Sequence, residues 1–224
     1  MKNAVLILLI FAAFSSSAQN DNSTTIAKDA KLTAELEMIH DSDQGIRKQY
    51  RSTQKEHGFD NPEVYALGLK MNSIDSLNLI KVIDILDSKG WVGKSVVGSK
   101  ANEALFLVIQ HANIDTQNKY LPLMREAAKN GDASLSSLAL LEDRIALREG
   151  RYQIYGSQIA SHPTTKEYYV LPLADPDNVD ERRATMKLGP LKEYVANWEI
   201  VWDTELYKKN LPEYEKLLKE NISK

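Results

Sequence analysis

Apolar residues recur at helical spacing over most of the chain, and the period changes only once. From Ile26 to His57, Leu32, Leu36, Ile39, Ile46 and Tyr50 mark one face of a helix, with Gly45 as an interruption. Pro62 suits the first turn of a second helix, with Asn61 or Asp60 as its cap. A third helix is predicted in "SIDSLNLIKVIDILDSKG". Ile74, Leu77, Ile80, Ile83 and Leu86 form its expected buried face, and Gly90 closes it in a left-handed conformation. "WVGKSVVG" reads as a turn, and Ser99 as the cap of "KANEALFLVIQHA", whose run Leu105–Ile109 requires burial on nearly every side. Two further helices follow: "DTQNKYLPLMREAAKNG", with Pro122 as a kink, and "ASLSSLALLEDRIALREG", which stops at Gly150.

After Gly150 the period shortens. "RYQIYGSQIA" and "KEYYVLPL" are rich in Tyr, Ile and Val and predict the two strands of a small hairpin, with "SHPTT" as its loop. Asp177 and Asp180 then resemble an acidic helix start. Pro190 opens a helix through Trp198 and Trp202, and Pro212 opens a last one. Neither an internal repeat nor a linker interrupts the pattern. The expected fold is mainly α: a single helical domain over residues 26–224 with a small β-hairpin insert.

The first 18 residues follow a different logic. Lys2 precedes an unbroken apolar run from Ala4 to Phe14, and Ser16 and Ala18 are small residues at the −3 and −1 positions of a cleavage site. That is the pattern of a secretory signal peptide. The run is too short to cross a hydrocarbon core, which needs about 20 residues in a helix. Residues 19–25 then form a polar leader, and the mature protein is expected to be exported, periplasmic or secreted, without a transmembrane segment.

Composition removes several classes of function. With no cysteine, disulfides and thiolate chemistry are excluded. The 28 Lys and Arg against 31 Asp and Glu give a net charge of −3, with no basic block that would suit a nucleic-acid partner. Gly-rich phosphate loops, G-x-S-x-G elbows and H-E-x-x-H motifs are also absent from the sequence. The four histidines lie far apart. "HDSD" at His40–Asp43 reads more simply as an exposed acidic turn than as a cation site, so neither metal nor cofactor is expected.

What remains is a set of polar residues set among apolar ones. In "RYQIYGSQIA", a bulge at Gly156 would bring Gln153, Tyr155 and Gln158 to one face, where amides and a phenol can read a polar ligand. An exposed hairpin touching only water is the plainer account of that segment. Asp143 and Arg144 lie inside an otherwise apolar helix, so at least one points inward, either binding a ligand or tying the hairpin to the helix. Gln110 and His111 end a buried helix. Asp43 and Arg47 stand four residues apart, beside Gln44; a surface ion pair is the plainer reading. Arg182 and Arg183 can bind carboxylate or phosphate.

In order along the chain, "DQGIR", "GWVGKSVVG", "QHAN", "DR", "QIYGSQ" and "RRATMKLGPLKEY" resemble an uncharacterised bacterial family, a domain of unknown function. Its pattern runs D-Q-x-x-R, G-W-P-x-x-S-x-x-G, Q-H, D-R, Q-x-Y-G-T-Q and R-R-x-x-x-G-L. Val92 stands where that family has proline and Ser157 where it has threonine, and the final Gly-Leu is reversed here as "KLGP". The resemblance implies that these residues belong to one constellation. It names no substrate.

The reading that follows is a polar, anion-binding pocket between the helices and the hairpin. Gln44, Arg47, Gln110, Asp143, Arg144, Gln153, Tyr155, Gln158, Arg182 and Arg183 would be its ligand-binding residues. Asp43 or His111 would serve as general acid or base if a small polar metabolite is hydrolysed there. A non-catalytic binding module of the cell envelope, or a purely structural network, are the competing expectations.

Overall fold

The computed structural model describes residues 29–58 and 60–222. The expected signal peptide, the polar leader and the first residues of the first helix lie outside them. Helix α1 (Ala30–His57) starts where the Asp29 carboxylate accepts the Leu32 N–H at 3.0 Å, and it ends at Gly58 with φ of 80°. Its buried stripe is Leu32, Leu36, Ile39, Asp43 and Ile46. That alternating four-and-three spacing runs straight through Gly45 and places a carboxylate, Asp43, at a core position.

Helix α2 (Pro62–Lys89) is capped by Asn61, whose side chain accepts the Glu63 N–H at 2.8 Å, and Pro62 occupies its first turn. It joins the two helices expected over this span into one. Its buried residues are Val64, Leu67, Asn78, Val82, Ile85 and Leu86, whereas Leu77 and Ile80, expected inside, are exposed. The apolar side chains near its centre form two competing stripes. The packed one is the one that faces α1 and α4.

A one-turn helix, α3 (Lys94–Val97), occupies the segment read as a turn, and α4 (Ser99–His111) follows directly. Gly98, at φ of 83°, is the residue before α4, and Ser99 is its first helical residue rather than its cap. Ala101, Ala104, Leu105 and Ile109 are wholly excluded from solvent. Helix α4 earns that burial by packing against α1, α2, α5 and α6 at once. Helix α5 (Ile114–Lys129) is capped by Asn113 and continues through Pro122. The proline frees the carbonyl of Asn118, which lies on an exposed turn where water can satisfy it. Helix α6 (Leu135–Arg148), capped by Ser134, completes the main core.

The hairpin is smaller than its sequence suggests. Strands β1 (Ile159–Ser161) and β2 (Tyr168–Val170) pair antiparallel, with Ile159 opposite Val170. Upstream, Gln153 makes only an isolated parallel bridge to Leu173, and Gly156 has φ of 68°. Most of "RYQIYGSQIA" is therefore a loop. A short 3₁₀ turn leads into α7 (Val179–Thr185), and α8 (Leu191–Val195) continues as a second 3₁₀ turn to Trp198. The chain then reverses at Glu199, with φ of 60°, so the helix expected from Pro190 through Trp202 is broken. Helix α9 (Thr204–Ile222) contains Pro212 internally. Val170, Leu173, Val179, Leu191, Val195 and Tyr207 form a second, smaller core beneath the hairpin. Among the described residues, no helix is long and apolar enough to cross a membrane.

Candidate functional site

The expected site residues fall into two groups. The first gathers at the junction of α1, α2 and α4. Asp43, only 1% exposed, sits 3.0 Å from Nδ1 of His111, the last residue of α4. Gln44 Nε2 donates to the other carboxylate oxygen of Asp43 at 2.7 Å. Arg47 lies one turn further along α1. Its Nη1 is 3.0 Å from Asp43 Oδ1, and its guanidinium binds Asp75 of α2 through two parallel bonds of 2.9 and 2.8 Å. Asp43, Asp75 and His111 edge a cavity of about 290 Å³ that Asn72, Ser76 and Asn113 also line.

Burial is the largest influence on the Asp43 carboxyl and pushes it upward. The hydrogen bond and charge of His111, with the charge of Arg47, outweigh it and hold the group below the ordinary carboxylate range. His111 Nε2 has no hydrogen-bond partner among the described residues. Asp43, Asp75 and His111 bring donor atoms within 4.8 Å of one another, a spacing that suits a metal ion. Arg47 already contacts both carboxylates and supplies positive charge at that point.

The second group holds the loop before the hairpin onto α6. The Asp143 carboxylate, fully buried, accepts the N–H groups of Ile154 at 2.6 Å, Tyr155 at 2.9 Å and Ser157 at 2.9 Å. Burial nonetheless keeps its carboxyl above the usual range, against the pull of those three donors. Gln153, also fully buried, donates to the carbonyls of Gln158 and Leu171 and accepts the Gln158 N–H. The Tyr155 hydroxyl donates to Glu142, 3.3 Å away; burial first, and Glu142 second, push its pKa up to about 12. Arg182 donates to the carbonyls of Ile154, Ala174 and Asp175. Arg183, 1% exposed, donates to those of Gly189 and Tyr155 and lies over the Tyr194 ring. Both guanidiniums, read from sequence as anion binders, are engaged with main-chain oxygens.

Gln110, Gln158 and Arg144 stand between the two groups. The amide nitrogens of Gln110 and Gln158 both approach the Leu140 carbonyl at 3.5 Å, and Oε1 of Gln110 is buried without a partner. Asp75 and Arg148 were missed in the sequence. For Asp75 the signal was register. It lies on the stripe that continues through Asn78, Val82 and Ile85, so it is a polar position within the inward face of α2.

A family of unknown function, DUF6624, matches residues 30–206. The chain belongs to that family. No curated protein and no solved structure matches it. The DUF6624 span runs from the start of α1 into the first turn of α9 and contains every residue of both groups.

Proposed function

We propose that this is an exported protein that binds a small polar metabolite in the cavity between α1, α2 and α4 and hydrolyses it with His111 as general acid and base. The observation that carries the reading is the Asp43–His111 pair at the cavity wall, with Nδ1 engaged and Nε2 without a partner. A carboxylate that accepts from Nδ1–H leaves Nε2 as the acceptor nitrogen. Nε2 then takes a proton from a water as that water's oxygen attacks the electrophilic carbon or phosphorus. The same proton passes to the leaving oxygen or nitrogen as its bond breaks. Gln44 and Arg47 position the Asp43 carboxylate, and through it the ring. Asn72, Ser76 and Asn113 offer hydrogen bonds to the rest of the ligand.

The test is a turnover screen on pooled esters, phosphate esters and glycosides, followed by His111→Gln and Asp43→Asn on the substrate found. Loss of the proton acceptor is expected to lower kcat about 10²–10⁴-fold while the fold survives. Full turnover in His111→Gln overturns the acid–base role. A ligand that binds the wild type without turnover favours the binding-module alternative.

A further inference from the structure

Eight arginines are described, and those withdrawn from water are nearly all accounted for. Arg47 has two carboxylates, and Arg182 and Arg183 have main-chain carbonyls. Arg144 has neither. Its Nε is buried without a hydrogen-bond partner, and no ion pair reaches its guanidinium among the described residues. The residue as a whole is half-buried, and a cation drawn even partly out of water without a partner carries a desolvation cost. Packing alone gives no reason to keep one inside a helix flanked by leucines.

The surroundings sharpen the anomaly. The acidic groups nearest to Arg144 in sequence are all committed elsewhere. Glu142 pairs with Arg125, Asp143 accepts three main-chain N–H groups, and Glu149 pairs with Arg151. Arg148 and Arg47, both positive, act on Arg144 more strongly than Tyr194, which acts the other way. Together with burial, the largest influence, they lower its pKa to about 10. Arg148, one turn along α6, also lacks a carboxylate partner; its Nη1 donates to the Ala112 carbonyl at 2.7 Å. Ala112 edges the His111 cavity, and Arg148 itself lines a second, more open cavity of about 520 Å³ among Ile114, Leu147, Leu171 and Leu218. Arg148 thus adjoins the proposed site, and Arg144 lies one turn before it on α6.

We infer that Arg144 and Arg148 form a subsite for the anionic group of the ligand, a carboxylate or a phosphate, with Arg47 adding to the positive field. Planar guanidiniums bind such oxyanions through paired N–H···O bonds, and the missing countercharge is then supplied by the ligand. The inference deepens the reading of the His111 cavity, and its placement rests on that reading. Its test does not rest on turnover.

The measurement is the thermal midpoint and the calorimetric binding isotherm of the full mature chain, titrated with sodium phosphate and separately with sodium acetate at constant ionic strength. A saturable rise with one or both is expected, and the stronger of the two identifies the anion class. Arg144→Met is expected to melt above the wild type without added anion, because it removes an unpaired, half-buried charge, and to weaken anion binding at least tenfold. Arg144→Lys is expected to keep a weakened response, and the surface variant Arg151→Gln the full one. Should Arg144→Met fail to fold, Arg148→Gln provides the second reading, with a several-fold weaker response expected. No saturable response in the wild type, or an undiminished response in Arg144→Met or Arg148→Gln, overturns the inference. His111→Gln separates the two proposals: it should keep the anion response while losing turnover.

Discussion

Asp143 and Arg144 are consecutive on α6 and bear opposite charges, yet they are not partners of each other. Asp143 is turned toward main-chain N–H groups of the loop at 154–157, and Arg144 has no partner among the described residues. The difference predicts opposite mutational signs. In Asp143→Asn one carboxylate oxygen becomes an NH₂ that faces either the Ser157 N–H or those of Ile154 and Tyr155. Donor then meets donor in a buried place, and about 3 kcal/mol of stability should be lost. Chemical denaturation checks this; a loss below about 0.5 kcal/mol would show that the carboxylate is not the anchor. Sequence alone showed that one of the two points inward. It could not show which, because a single helical turn can present neighbouring side chains to different surroundings.

At the scale of elements, the loop at Arg151–Gln158 illustrates why the strand pattern misled. Tyr, Ile and Gln at alternating positions satisfy the period of a strand, but the N–H groups of Ile154, Tyr155 and Ser157 are taken by Asp143 rather than by a neighbouring strand. Gly156 permits that course at φ of 68°, and a Cβ there would stand 3.0 Å from Leu191 Cδ1. Gly156→Ala should therefore cost about 1–3 kcal/mol through the left-handed backbone, with Leu191 displaced in addition. A melt unchanged from wild type would contradict the assignment. The long helices were legible from their apolar period, and Asn61, read as a cap, does accept an N–H two residues on; Asp29, Asn113 and Ser134 cap in the same local way. The merging of two predicted helices into α2 was not legible, since no residue between Lys70 and Ser73 either stops a helix or requires it to continue. Pro212 misled for a related reason: proline suits a first turn, and nothing near it in sequence says that α9 has already begun.

For the molecule as a whole, opposed carboxyls shape the response to acid. Asp43 titrates below its ordinary range when folded, so the folded state binds fewer protons than the unfolded one. Its contribution to stability is present above the ordinary carboxylate pKa of about 3.9 and is lost as pH falls through the folded value. Asp143 has the reverse sign: its folded pKa is raised, so protonation eases its burial and stability grows as pH falls through that value. Asp43→Asn should flatten the loss of stability below about pH 4, and an unchanged slope would show that Asp43 is not its source. The site itself was half legible. "DQGIR" and "QHAN" name residues that do meet, but their meeting depends on the packing of α1 against α4, and Asp75 comes from a third helix without a motif. The Arg47–Asp75 contact has a mechanical side as well. It spans from α1 to α2 and ends on Asp75 in the cavity wall, with Ser42–Asn78 as the companion tie. A visitor that drew Arg47 toward itself would undo one of these two clasps and leave Ser42–Asn78 and the apolar seam to keep the rods together.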